Sequence, residues 1–146
     1  IKQLESAGDQ YQYLLVLQPT SPLRTAQHID EAVKLLLEKR ARGVVGVTEL
    51  EHPVEWADTI PDNLSMDEFL SRIPRTTRSQ NYPTRYRVNG AIYLAIIDEI
   101  LSSNSLFIRH GTVAYKMEQA CSVDIDTETD YWVAELLLSK RDLSKS

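Results

Sequence analysis

The apolar positions of this chain fall into short blocks of contrasting period. "YLLVL" at 13–17 is an unbroken apolar run of strand length, the pattern of a strand covered on both faces in a parallel sheet. Further on, Ile29, Ala32, Val33, Leu36 and Leu37 recur at helical spacing behind Thr25, a residue suited to N-capping. Asp30 and Glu31 near the start of this helix and Lys39, Arg40 and Arg42 near its end suit its dipole, and Gly43 is placed to stop it. "VVGVT" at 44–48 is a second strand, and the first dozen residues suggest a helix tail ending near Gly8. Strand, helix and strand with short links predict a βαβ unit with a right-handed connection and a parallel sheet.

From 49 to 88 the pattern breaks: four of the six prolines fall here and no long helical period survives, which predicts an excursion of turns and short strands. "RVNGAIYLAII" then predicts a strand running into a short helix around "IIDEILSS", and "TVAYKM" predicts another strand. "SVDID" is expected as a strand end feeding a C-terminal helix from "TETDYWVAELLLSK", where Thr127 and Asp130 have the spacing of a capping box. The whole, 1–146, is expected to be a single α/β domain carrying an inserted excursion at 49–88.

Between the first strand and its helix lies "QPTSPLRT", polar and stiffened by two prolines. Open α/β sheets bind ligands beyond the carboxyl ends of their strands, and residues 18–24 occupy that rim. The prolines fix φ, so Gln18, Ser21 and Arg24 are presented by a rigid turn. The plainer alternative is a turn that ends a strand and caps a helix.

Composition narrows the function. At 146 residues and 42% apolar content the chain suits one domain, and a net charge of −5 with a pI near 5.2 disfavours a nucleic-acid partner. The longest apolar run, "AIYLAII", is too short to span a bilayer. Cys121, the single cysteine, excludes an internal disulfide and suits a reducing compartment such as the cytoplasm. The chain opens at Ile1 without an initiator methionine, as a fragment or processed product would.

Three clusters could carry chemistry. In "DID", an extended backbone would place Asp124 and Asp126 on one face, where a hard cation such as Mg²⁺ would relieve their repulsion. Alternatively Asp126 caps the last helix and Asp124 is solvated. Arg72, Arg75, Arg78, Arg85 and Arg87, interleaved with Tyr82 and Tyr86, suggest a bound anion in an acidic protein, or else a solvated loop. Asn89 and Gly90 form either a turn or a close approach of backbone to ligand. His28 is expected to cover a helix end, and His52 carries no assignment. Gly-rich phosphate loops, nucleophile elbows and Cys/His metal clusters are absent from the sequence.

Taken in order, "LQPTSPLRT", "RYRVNGAIY" and "SVDIDTETD" resemble the acylneuraminate cytidylyltransferases, or CMP-sialic acid synthetases, and their relatives for other nine-carbon keto acids. The resemblance implies a Rossmann-like nucleotidyltransferase fold with a mostly parallel sheet flanked by helices. It also implies a protruding dimerisation segment matching 49–88, a homodimer, and Mg²⁺-dependent transfer of a cytidylyl group from CTP to a sugar acid. Carried over by residue, it gives Gln18 contact with the sugar acid, with Ser21 and Arg24 supporting the rim. Asn89 and Gly90 become the sugar-pocket turn, Asp124 and Asp126 the metal-binding carboxylates, and Arg78 and Arg87 the pair reaching towards a partner's active site. Two departures accompany it. Val54 and Glu55 stand where the family pattern often has a basic residue, which bears on the identity of the sugar. The strand and basic, glycine-containing loop that hold the CTP phosphates are unmatched, so the chain corresponds to the family without roughly its first third, and the isolated chain is expected to turn over little. The alternatives are transfer to a legionaminic, pseudaminic or shorter keto acid, or a non-catalytic oligomerisation or binding module of the same fold.

Overall fold

The computed structural model describes residues 10–73 and 82–143. The helix tail expected ahead of Gly8 lies outside them. The elements, in chain order, are β1 (Tyr13–Val16), α1 (Ala26–Lys39), β2 (Gly43–Glu49), a 3₁₀ turn (Val54–Trp56), α2 (Asp67–Arg72), β3 (Tyr86–Ile96), α3 (Ile97–Ser103), β4 (Thr112–Met117), a second 3₁₀ turn (Gln119–Cys121) and α4 (Glu128–Leu143). The chain divides into two compact units, Glu49–Arg87 and the remainder. The boundaries fall where the proline-rich stretch starts and stops.

In the larger unit the four strands form one mixed sheet in the order β1-β3-β2-β4. β1 pairs antiparallel with β3 from Tyr13↔Ile96 to Val16↔Tyr93. β2 pairs parallel with β4 from Gly43↔Thr112 to Thr48↔Met117. The mostly parallel sheet expected from the βαβ pattern is therefore corrected: β1 and β2 are not neighbours, because β3 lies between them. The physical reason is the length and apolarity of β3, which buries Asn89, Gly90, Ala91, Ile92, Leu94 and Ala95 and so takes an interior place. β1 is left at an edge, half-buried throughout rather than covered on both faces.

The core gathers Ala32 and Leu36 from α1, Val44 from β2, Ala91, Ile92 and Leu94 from β3, and Met117 and Cys121 from the end of β4 and the turn after it. Burying an aliphatic side chain as fully as Ile92 or Val44 stabilises by about 1.5–3 kcal/mol each. The stripe of α1 is rotated from the expected one. Leu35 packs with Ala32 and Leu36, while Val33 and Leu37 are exposed.

Gly43 does not stop α1. Arg40 does so in a left-handed conformation (φ 49°), its N–H turned back to the Leu36 and Leu37 carbonyls. Gly43 instead opens β2, where an added Cβ would stand 3.0 Å from Thr112 Oγ1 and 3.3 Å from Leu94 O. The expected strand at "SVDID" is irregular backbone following the 3₁₀ turn. α4 is fastened to the unit through Arg141, which donates to Leu23 O at 2.6 Å and to Cys121 Sγ at 2.9 Å. No described helix is long and apolar enough to cross a membrane.

In the smaller unit, Leu50 N–H donates to Arg85 O at 2.9 Å. Arg72 pairs with Asp58 and, at 3.9 Å, with Glu68, while Arg85 pairs with Glu55. Two members of the arginine strip thus hold carboxylates of their own unit. Arg75 and Arg78 lie outside the described residues.

The N-terminus of α1 is closed by a reciprocal box. His28 N–H donates to Thr25 Oγ1 at 3.3 Å, and Thr25 N–H donates to His28 Nδ1 at 3.2 Å. The imidazole must be neutral at Nδ1 to accept that bond. Its pKa is lowered, first by partial burial; the positive charge of Arg141 acts in the same sense, whereas Glu31 and Glu118 oppose it. A depressed histidine contributes stability that is present above its unfolded pKa of about 6.5 and is lost as pH falls through the folded value. Urea unfolding between pH 7.5 and pH 5 is expected to show that loss. His28→Gln, which keeps an acceptor at the same helix position, is expected to reduce it; parallel pH profiles for the two proteins would remove His28 as the titrating group.

Candidate active site

The polar turn after β1 is anchored from below and stapled from the side. Leu23 and Ser21 are fully buried, while Gln18, Pro19 and Thr20 stay exposed at the turn's outer edge. Ser21 N–H closes the turn on Gln18 O at 3.2 Å. Arg24 Nη1 donates to three carbonyls, Gln18 O at 2.9 Å, Ser21 O at 3.0 Å and Ala91 O at 3.2 Å, and so ties both ends of the turn to β3. Burial lowers the guanidinium's pKa from the usual arginine value.

Gly90 is the point of closest approach between this turn and the sheet. Its φ is +75°, in the left-handed region, and a Cβ there would lie 2.2 Å from Gln18 Oε1 and 3.0 Å from Ser21 Oγ. The left-handed backbone favours glycine here, and a larger residue would also have to displace the Gln18 carboxamide resting on it. Asn89 beside it is buried, and its side chain points into the protein. Nδ2 donates to Ser122 Oγ at 2.9 Å and to Met117 Sδ at 3.2 Å, Oδ1 accepts from Ala91 N–H at 3.1 Å, and the Asn89 carbonyl accepts from Ser21 Oγ at 3.3 Å. Room for this carboxamide comes from Gly46 on β2, where a Cβ would stand 2.6 Å from Asn89 Oδ1.

The acidic segment is brought to the same end of the sheet by Ile125 N–H, which donates to Thr20 O at 2.8 Å. Asp124 is half-buried, and its Oδ1 is sealed from solvent without a hydrogen-bond partner. Tyr93 of β3 registers its neighbourhood: burial, and then the charge of Asp124, raise the phenol's pKa. The cap of α4 is made by Thr127 and Asp130. Thr127 N–H and Oγ1 bond Asp130 Oδ2 at 2.8 and 2.7 Å, and Asp130 N–H returns to Thr127 Oγ1 at 3.3 Å. These bonds draw Asp130 below the ordinary aspartate pKa. Asp126 takes part only through its backbone N–H, 3.3 Å from Asp130 Oδ2, and its side chain is exposed.

The structure therefore gathers Gln18, Ser21, Arg24, Asn89, Gly90 and Asp124, with Asp126 two residues further on. Arg87 is exposed and belongs to the smaller unit, and Arg78 lies outside the described residues. His28 covers the start of α1, as expected, and His52 stacks on Trp56 with ring centroids 6.5 Å apart. Gly46, Thr20 and Ser122 escaped the sequence reading. Nothing local marks them, since each acts on residues distant in the chain.

No family model matches the chain. The N-acylneuraminate cytidylyltransferase of Escherichia coli O18:K1:H7 is 33% identical over 147 residues, covering 99% of this chain and 34% of that protein. The N-acylneuraminate cytidylyltransferase of Streptococcus agalactiae serotype V is 30% identical over 132 residues, covering 90% of this chain and 31% of its own length. Over 90–99% of its length, then, this chain is similar to N-acylneuraminate cytidylyltransferases. A CMP-N,N'-diacetyllegionaminic acid synthase of Legionella pneumophila is also similar, 28% identical over 86% of this chain and 53% of that protein. The chain spans about a third of the length of the two cytidylyltransferases.

The Gly90 turn is open to a direct check. Gly90→Ala forces a side chain into the left-handed region, costing about 1–2 kcal/mol, and drives Gln18 off its seat. Urea denaturation is expected to show a stability loss of at least about 1 kcal/mol. A Gly90→Ala variant as stable as the natural chain would contradict the geometry described for this turn.

Proposed function

We propose that this chain forms the sugar-acid and metal side of an active centre that transfers a cytidylyl group from CTP to the anomeric hydroxyl of a nonulosonic acid, releasing pyrophosphate. The observation that carries the proposal is the orphaned, buried Oδ1 of Asp124, set beside the turn that presents Gln18. A buried carboxylate oxygen without a donor is costly, and a bound cation removes the cost. Among the described residues no three His, Cys, Asp or Glu side chains come together as a metal site. Two aspartates, Asp124 and Asp126, suit Mg²⁺, which keeps waters and phosphate oxygens in its shell instead of an all-protein cage. When bound, Mg²⁺ would polarise the α-phosphate and favour ionisation of the attacking hydroxyl.

The chain's own residues do the positioning. Gln18, exposed on its turn, offers a carboxamide to the sugar acid. Gly90 lies beneath that carboxamide, Ser21 ties the turn to the Asn89 carbonyl, and Arg24 keeps the turn from opening by occupying its carbonyls. Reaction between two anions needs neutralisation more than covalent help, so most of the rate enhancement is assigned to geometry and charge. Residues 49–88 are read as the dimerisation segment of a homodimer, through which Arg78 and Arg87 would reach a partner's site. The sugar class follows the names of the similar proteins, which span N-acylneuraminate and N,N'-diacetyllegionaminic acid.

In the intact protein, Asp124→Asn and Asp126→Asn are each expected to lower CTP-dependent pyrophosphate release by about a thousandfold or more, the loss of several kcal/mol of transition-state stabilisation. A near-normal rate in either variant would withdraw that aspartate from the metal.

A further inference from the structure

Asp124 hangs between two anchors. Two residues before it, Ser122 is fully buried; its Oγ donates to Glu118 O at 2.8 Å and accepts from Asn89 Nδ2 at 2.9 Å. One residue after it, Ile125 N–H is held by Thr20 O at 2.8 Å. Only Val123 and Asp124 itself lie between these fixed points, so the direction of the carboxylate is decided by where the two anchors stand.

The first anchor is coupled to the sugar-side turn. Ser21 Oγ donates to Asn89 O at 3.3 Å, Asn89 Nδ2 donates to Ser122 Oγ, and all three residues are at most 1% exposed. A buried polar chain thus runs from the turn bearing Gln18, through β3, to the segment bearing Asp124. If Ser122 only filled space, alanine would serve nearly as well. Its hydroxyl instead gives Asn89 Nδ2 its one oxygen acceptor; without it the amide is left with Met117 Sδ, a weak acceptor.

We infer that Ser122 is a positioning residue for Asp124: the Ser21–Asn89–Ser122 chain sets the direction in which Asp124 presents its unpartnered oxygen to a divalent cation beside the Gln18 turn. The inference rests on the reading of Asp124 as a metal ligand. Metal sites are sensitive to such supports, because octahedral Mg²⁺ tolerates little displacement of a ligand, and losing a residue that orients a ligand typically weakens affinity about 10–100-fold.

The test is titration of the full chain with Mn²⁺ alone, free ion being read by electron paramagnetic resonance, with no nucleotide or sugar present. Ser122→Ala is expected to raise the Mn²⁺ dissociation constant about tenfold, and Asp124→Asn to weaken binding at least as far. Ser122→Cys fills the site with a slightly larger atom that is only a weak donor and acceptor; it is expected to shift affinity in the same direction and serves if the alanine variant does not fold. Leu36→Val, a core change on α1 that removes none of these hydrogen bonds, is expected to lower stability and leave Mn²⁺ affinity unchanged. Natural affinity in the Ser122 variants, or equal weakening in Leu36→Val, overturns the inference while the effect of Asp124→Asn still supports the metal reading. Unchanged affinity in Asp124→Asn overturns both.

Discussion

The arrangement at this end of the sheet depends on one buried carboxamide. Asn89 sits in the interior of β3, and a polar group so placed must find partners or destabilise the fold by about 1–3 kcal/mol. The carboxamide meets Ser122 beyond β4, Met117 at the end of β4 and its near neighbour Ala91, while the Asn89 carbonyl meets Ser21 on the turn after β1. Satisfying one side chain and its carbonyl therefore registers the turn after β1, the end of β4 and the segment beyond it against β3. Gly46 is the accommodation made on β2, since any larger residue would collide with the carboxamide oxygen.

Around that hub, charge is used sparingly. Arg24 gives its bonds to carbonyls, so it acts as a fastening for the turn, and its positive charge lies beside an otherwise exposed loop edge. At the acidic segment, by contrast, Asp124 keeps an oxygen without a partner. In a chain with a net charge of −5, this oxygen is a local feature of the Asp124 environment and does not reflect the overall field.

Much of the element pattern was legible because it is local. The helical spacing behind Thr25, the apolar run of β3, its passage into α3, and the Thr127–Asp130 cap all follow from residues within a few positions of one another. Pairing was not legible, because an apolar run states that a strand is buried without saying beside which other strand; hence β3 between β1 and β2 went unforeseen. Arg40 in a left-handed cap defied the preference for glycine, which was instead needed at 43 for contact with Thr112 and Leu94. The hydrogen-bonded carboxylates of Arg72 and Arg85, Asp58 and Glu55, lie 14 and 30 positions away, beyond the reach of a charge pattern read along the chain. At the site, the motif residues were visible as motifs, but the inward turn of the Asn89 side chain and the part played by Ser122 exist only in three dimensions.

The two crossings between the compact units leave from β2 after Thr48 and return to β3 at Val88, and these strands are neighbours in the sheet. Both roots of the smaller unit are thus pinned by the same ladder of bonds. The closure entropy of whatever is suspended between them grows only slowly with its length, by about 0.6 kcal/mol per doubling. Evolution could lengthen, shorten or exchange that appendage at little thermodynamic cost, while the Asn89 junction a single residue beyond Val88 would hold the adjoining end of the sheet constant.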